Sequence, residues 1–251
     1  MSSANLQAIY VLWLRQMKRF LRSKSRLIAN IVQPLFFLAI FGFGFSSFRF
    51  MDNLEYIDFL APGMITMSVV FSSIFAGVSV IWDRQFGFLK EVLVAPISRL
   101  AIVIGQTLGG STLAIIQGFI VLIIAIFLGV DINLAGILPA LIFMILISFF
   151  AVSLGLVIAS RLEDFHAFQL IMNLLIMPLI FLSGAFFPIQ SVPDWMKTIM
   201  LLNPLTYAVD GLRGFLIGIF AIPVYINFIV AISLSLSLLL IGAIAFSKCE
   251  V

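Results

Sequence analysis

Charge is absent from most of this chain and gathers in short clusters. Six stretches contain no Asp, Glu, Lys, Arg or His: 27–48, 59–82, 100–130, 132–160, 167–193 and 214–247. Each exceeds the ~20 residues that a helix needs to cross a bilayer. A backbone surrounded by lipid must satisfy its own hydrogen bonds, so long apolar runs of this kind are helices. The two-residue alternation of barrel strands is missing. The pattern predicts an all-α polytopic membrane protein with spans at about 27–48, 59–82, 100–128, 134–160, 167–187 and 222–247.

Three segments between or before these runs have a pattern of their own. At the start, Leu6, Ile9, Tyr10, Trp13, Met17, Phe20 and Leu21 recur at helical spacing, with Arg15, Lys18, Arg19 and Arg22 as a second stripe. That predicts an amphipathic helix within 1–26, lying on the inner membrane surface with its basic groups toward lipid phosphates. Residues 83–94 lack proline and place Phe86, Leu89 and Leu93 on one side, with Asp83, Gly87, Lys90 and Glu91 opposite. A helix of that length spans about 18 Å, and Pro96 ends it. Exposed apolar residues on such a helix call for a partner protein or for the membrane surface.

The third segment, "SGAFFPIQSVPDWMKTIMLLNPLTYAVDGLR" (183–213), is apolar but broken by Pro188, Pro193 and Pro204, and it carries Asp194, Lys197, Asp210 and Arg213. A full span here would bury charge at roughly 2.5–3.5 kcal/mol per residue. Two short helices entering from one face, a re-entrant hairpin over 188–214, fit better. Pro193 and Pro204 suit first-turn positions, Asn203 suits the N-cap of the second helix, and Asp210 and Arg213 are spaced to pair along it.

Composition agrees with the pattern: 63% of the 251 residues are hydrophobic and 10% charged, and the mean hydropathy is +1.25. The net charge of +3 matters less than its distribution. With the N-terminus inside, the cytoplasmic side holds Arg15, Lys18, Arg19, Arg22, Lys24, Arg26, Arg84, Lys90, Arg99, Arg161 and Lys248, and the outside only Arg49, Lys197 and Arg213. Basic residues favour the cytoplasmic side, so both termini are expected there. The first 26 residues have no unbroken apolar core, so no cleaved signal is expected. The single cysteine, Cys249, has no partner in the chain for a disulfide.

Catalytic patterns are missing. The one histidine, His166, stands in a short polar loop, and neither a His-Glu-x-x-His pair nor a Gly-x-Ser-x-Gly elbow occurs. "GQTLGGST" (105–112) copies the glycine spacing of a phosphate-binding loop but lacks its lysine and opens an apolar run. Close helix packing through Gly105 and Gly109 is the better account. No enzyme, metal site or cofactor is expected in this chain. Ion-coupled carriers usually hold charge inside the membrane. Here the span interiors have none, which leaves only neutral groups such as Asn173 and Gln117 to ligate sodium.

"DRQFGFLKEVLVAPISR" (83–99) resembles the signature after the second span of the type-2 ATP-binding-cassette exporter permeases, the daunorubicin-resistance and related efflux group. "FLSGAFFPIQSVPDWMKTIMLLNPLTYAVDGLR" (181–213) resembles the same family's hallmark before its last span. The order of the basic helix, six spans and hairpin matches as well, so the resemblance covers nearly the whole chain.

The resemblance implies roles. Residues 83–96 correspond to a coupling helix that docks on a separate ATPase subunit, with Arg84, Gly87, Phe88, Leu89, Glu91 and Pro96 matching the motif. Many members have an acidic residue where this chain has Gln85. Residues 1–26 correspond to the connecting helix and 27–251 to the membrane domain. Two permease chains, expected to be identical, would pair with two ATPase subunits that carry ATP and Mg, in the plasma membrane and without nucleic acid. Spans one, two and five would face the path between the permeases, which makes Phe36, Phe37, Phe71, Asn173 and Phe181 candidates for lining it. Residues 188–214, with Pro188, Pro193, Asn203 and Pro204, would form the outer gate. The chain's 27 Phe and 10 Met suit a hydrophobic or amphipathic cargo. The alternatives are an ion-coupled carrier and a membrane anchor or regulator that moves nothing.

Overall fold

The computed structural model describes residues 3–44, 49–50, 54–95, 97–162 and 164–247. They form α1 (Ser3–Arg22), α2 (Lys24–Gly44), α3 (Tyr56–Gln85), α4 (Phe88–Val94), α5 (Arg99–Phe127), α6 (Ile137–Ala159), α7 (Phe165–Phe181), α8 (Asp194–Leu202), α9 (Pro204–Ile217) and α10 (Val224–Ser247). A two-residue antiparallel ladder pairs Arg49 with Glu55 and Phe50 with Leu54. Among the described residues, four stretches are long and apolar enough to cross a membrane: Tyr56–Asp83, Arg99–Phe127, Leu134–Ala159 and Val224–Ala245. Ile31–Gly44 and Phe165–Phe181 are shorter apolar helices.

Helix α3 is the axis. The rest of the chain covers 88% of its apolar stretch, against 17% of that in α10. Its antiparallel neighbour is α5: Asp58 Oδ1 accepts from Asp131 N at one end (3.1 Å), and Ser79 meets Gln106 at the other (3.4 Å). On another side it packs on α6, where a Cβ on Gly77 would fall 2.6 Å from the carbonyl carbon of Gly155. Helix α10 runs alongside α6, and Ser235 Oγ donates to Leu146 O (2.8 Å). Its outer face of Ile229, Ile232, Leu236, Leu240 and Ile244 is exposed, as an apolar lipid-facing helix requires.

Three elements differ from the sequence expectation. Helix α1 does not rest on lipid by one whole face: it packs lengthwise on the first half of α5. Leu12, Gln16 and Phe20 are buried there, and Gly105 and Gly109 make room for it. The continuous helix expected over 83–94 is broken. Helix α3 runs on to Gln85, Gly87 turns with φ +76°, and α4 has seven residues. A left-handed residue cannot sit inside an α-helix, so Gly87 is a hinge and not a packing site. The fifth apolar helix stops at Phe181, with Pro178 in its last turn and Gly184 at φ +77° in the turn that follows.

Candidate functional site

The end of α3 gathers three helices around one carboxylate. Asp83 is buried, and Arg15 Nη1 and Nη2 of α1 donate to its Oδ2 and Oδ1 at 2.7 and 2.5 Å. Arg19 Nη1 stands 3.6 Å from the same carboxylate. The Arg15 guanidinium also lies 3.7 Å over the Phe88 ring, and Arg19 lies 5.0 Å over Trp82. Burial pulls the Arg19 guanidinium below its ordinary range, while Asp83 opposes that shift and Arg15 adds to it. The four basic residues of α1 therefore split. Arg15 and Arg19 turn in to Asp83, which corrects the expectation that all four face lipid phosphates, and Lys18 and Arg22 stay exposed. Trp82 touches Phe165 of α7 (5.9 Å between centroids), so the junction reaches a fourth helix. Asp164 caps α7 by accepting from His166 N and Ala167 N at 3.1 and 3.2 Å, and these bonds hold its carboxyl below the usual carboxylate range.

Beyond the junction, α4 projects outward. Phe86 is 83% exposed and Val94 85%, and Glu91 is exposed between them. Phe88 is half-buried under Arg15. Arg84 lies in the last turn of α3 and Leu89 in α4, but their side chains fall outside the described residues, as does all of Pro96. Gln85, the position that departs from the signature, is the exposed last residue of α3.

The five pathway candidates fall into two groups. Phe71 and Asn173 line one cleft of about 60 Å³ between α3 and α7, together with Phe75, Phe168, Gln169 and Met172. Phe37 and Phe181 meet on Phe186, at 5.9 and 4.6 Å between centroids. Phe36 touches that group only through the edge of Phe37 (6.4 Å) and is 60% exposed. Sequence reasoning missed Phe186, the buried hub of the group. It also missed Gln169, which stands one helical turn from Asn173, a spacing that marks a shared face.

The stretch after α7 forms two short helices. Asn203 caps α9, its Oδ1 accepting from Leu205 N (3.0 Å), and its Nδ2 donates to Leu179 O of α7 (2.6 Å). Pro204 is the first residue of α9, Pro193 immediately precedes α8, and Pro188 O accepts from Ser191 Oγ (2.9 Å). Asp210 and Arg213 are not the ion pair that their spacing predicts. Asp210 accepts from Ala221 N, Ile222 N and Asn227 Nδ2 at 2.8, 3.0 and 2.8 Å. Arg213 donates to Phe59 O (3.2 Å) and Gly184 O (2.8 Å) and covers the Phe59 ring at 3.8 Å. Each charge has its own polar partners, so direct contact is not needed to bury either one.

Comparison with known proteins shows what the chain is similar to. The family model described as ABC-2 type transporter matches residues 7–217. A putative transport permease, ycf38, of Cyanophora paradoxa is 33% identical over 217 residues, covering 83% of this chain and 73% of the relative. The inner membrane transport permease YadH of Escherichia coli K12 is 25% identical over 88% of this chain and 87% of its own length. The ABC transporter G family member 20 of Dictyostelium discoideum is 31% identical over 78% of this chain, which matches only 27% of that longer protein. With apolar helices built to cross a membrane, a family match over most of its length and permeases among its relatives, the chain belongs to the ABC-2 type transporter family and is an integral membrane permease.

Proposed function

We propose that this permease is the membrane half of an ATP-driven exporter, working as one of two identical chains with two separate ATPase subunits that carry ATP and Mg. The observation that carries the reading is the junction at Asp83. A small helix with exposed Glu91 and Val94, preceded by exposed Phe86 in the turn before it, is tied by Arg15 to the end of the most enclosed helix of the fold. An apolar pair flanking a carboxylate suits a groove on another protein. A push on α4 passes through Gly87 and Asp83 into α3, and through Arg15 into α1. In this reading the segment 83–96, with α4 as its helical part, is the coupling element, with Arg84, Phe88, Leu89, Glu91 and Pro96 toward the ATPase and Gly87 as its hinge. Both termini are cytoplasmic, six helices span the plasma membrane, and the 188–214 hairpin gates the outer side through Pro188, Pro193, Asn203 and Pro204.

Cargo passes between the paired permeases. The α3–α7 cleft supports an amphipathic cargo, because the amides of Gln169 and Asn173 border an otherwise aromatic and aliphatic lining. An amide left facing hydrocarbon is costly, so a molecule with an apolar body and a hydrogen-bonding group fits: a drug-like compound, a lipid or a glycolipid. Phe36, Phe37 and Phe181 line the outer part of the path. ATP binding closes the ATPase pair and moves both α4 helices, the spans tilt open to the outside, and hydrolysis resets them.

The test is purification of the tagged chain from its native membrane in mild detergent, with mass spectrometry of what accompanies it. A stoichiometric ATPase, lost on Glu91→Arg while the permease still inserts, supports the reading. The chain alone in several detergents overturns it and leaves a carrier or a membrane anchor.

A further inference from the structure

Four basic residues share one face of α1, and a single carboxylate answers them. Arg15, Lys18, Arg19 and Arg22 recur three and four residues apart, the spacing of helical neighbours. Among the described residues Asp83 is the one carboxylate in an ion pair with them. Arg15 takes both of its oxygens, and Arg19 stands at 3.6 Å without a hydrogen bond. Lys18 and Arg22 are exposed, and among the described residues their side chains make no ion pair or hydrogen bond.

Beside this stripe runs an open groove of about 450 Å³, lined among the described residues by Val11, Leu14, Arg15, Lys18, Arg19 and Arg22. That volume falls in the range that holds a small organic ligand, well beyond a bare ion. Four cations border it, so it favours an anionic occupant.

The groove also has a definite depth. Only Ser23 separates α1 from α2, and the charge-free run 27–48 begins five residues after Arg22. Five residues of helix rise about 8 Å, and the headgroup layer beyond the hydrocarbon is about 5–8 Å deep. The basic end of the groove therefore lies at the level of lipid phosphates. Tyr10 stacks on Trp13 on the same helix (6.0 Å between centroids), as aromatic side chains do at a membrane interface. Past Arg22, Ile28 and Val32 of α2 are exposed one turn apart and offer an apolar track.

We propose that the α1 groove binds an anionic phospholipid, its phosphate held by Lys18 and Arg22 with Arg19 behind them, and its acyl chains along Ile28 and Val32. An acidic protein surface would meet the same cations, but it would have to enter the headgroup layer to reach Arg22. A soluble phosphate has the charge but no chains to keep it at that depth. Arg19 belongs both to the groove and to the Asp83 contact, so a bound headgroup competes with Asp83 for it. The junction of α1, α3 and α4 is thereby tied to the lipid composition of its leaflet. This site depends on membrane insertion and not on export.

Native mass spectrometry of the whole chain in detergent tests this, with phosphatidylglycerol or phosphatidylcholine of the same acyl chains added. Each basic residue near an anionic headgroup is worth about fivefold in affinity, so two give phosphatidylglycerol a preference of roughly 25-fold. Lys18→Gln with Arg22→Gln should erase that preference. Lys18→Arg with Arg22→Lys keeps both charges and should retain it, and so should Arg161→Gln, which removes a charge from another exposed position. Equal binding of the two lipids by the parent chain, or a preference that survives the double Gln variant, overturns the proposal. Displacement of the lipid by an equal concentration of glycerol 3-phosphate also overturns it, because the groove would then be a soluble-phosphate site. A double Gln variant that keeps the lipid but loses a co-purifying ATPase would make the groove a protein-docking face instead.

Discussion

Arg15 and Asp83 stand 68 residues apart in sequence and meet through two hydrogen bonds of 2.7 and 2.5 Å, at the point where α1, α3 and α4 converge. Asp83→Asn keeps the shape and removes the charge that holds two guanidiniums together. Breaking a buried ion pair costs about 3–5 kcal/mol. The lower end applies here, because the Arg15 side chain remains 32% exposed. Thermal unfolding in detergent should show a midpoint several degrees lower. Arg15→Lys keeps the charge but loses the two-pronged geometry, so its midpoint should fall between the two. An unchanged midpoint in Asp83→Asn would show that the contact holds nothing.

Gly87 separates α3 from α4 with φ +76°, and among the described residues no atom beyond its chain neighbours lies within 4 Å of the place where its Cβ would be. The demand at this position is conformational and not steric. Left-handed backbone costs an ordinary residue about 1–2 kcal/mol, less for Asn and more for a β-branched residue. In pull-down of the ATPase partner, Gly87→Asn should retain binding and Gly87→Val should lose it, with equal amounts of both variants in the membrane. Equal binding by the two would mean that the hinge conformation is not what the partner reads.

Much of this architecture is legible in the sequence, and the failures have a common cause. Charge-free runs mark the apolar helices because lipid forbids exceptions, and Asn203 followed by Pro204 marks a helix start because capping is local. What escapes is tertiary. The stripe of Leu6, Tyr10 and Leu21 does face outward on α1, yet Leu12 and Gln16 face α5, and no periodicity distinguishes a protein neighbour from lipid. Gly105 and Gly109 point to close helix packing but do not name α1 as the partner. Asp210 and Arg213 have pairing spacing, yet each finds backbone partners that only the folded chain brings near. Phe71 and Asn173 share a cleft, whereas Phe36 meets the aromatic group only at its edge, and nothing in the motif separates them.

Lengthwise packing of α1 on α5 is open to direct proof. Leu12 Cβ lies 3.0 Å from where a Cβ on Gly105 would stand, slightly inside the usual disulfide span of about 3.5–4.5 Å. With Cys249 replaced by Ser, the pair Leu12→Cys and Gly105→Cys should crosslink under mild oxidation in membranes. A helix lying apart on the lipid surface would leave both thiols free. At the next glycine, Gly109→Leu would drive its side chain into Gln16, whose Cγ lies 2.8 Å from the Cβ position. Added to that crosslinking pair, it should reduce the yield sharply.

Arg213 and Asp210 supply a test of how buried charge is held in this fold. If they formed the ion pair that their spacing allows, removing either would leave the other unpaired, and the double variant would lose little more than each single one. The geometry requires something else. Arg213 is held by the carbonyls of Phe59 and Gly184, and Asp210 by two backbone amides and Asn227. Arg213→Met should detach α9 from α3 and from the turn at Gly184, and Asp210→Asn should loosen the link between α9 and α10. These are different contacts, so the two losses should nearly add. A double-mutant cycle on thermal stability should give a coupling of about 0.5–1 kcal/mol, the low end for neighbours, because the two charges share a helix but no hydrogen-bond partner. A coupling of several times that value would restore the direct pair, and α9 would then be held by one internal bridge instead of by separate ties to α3 and α10.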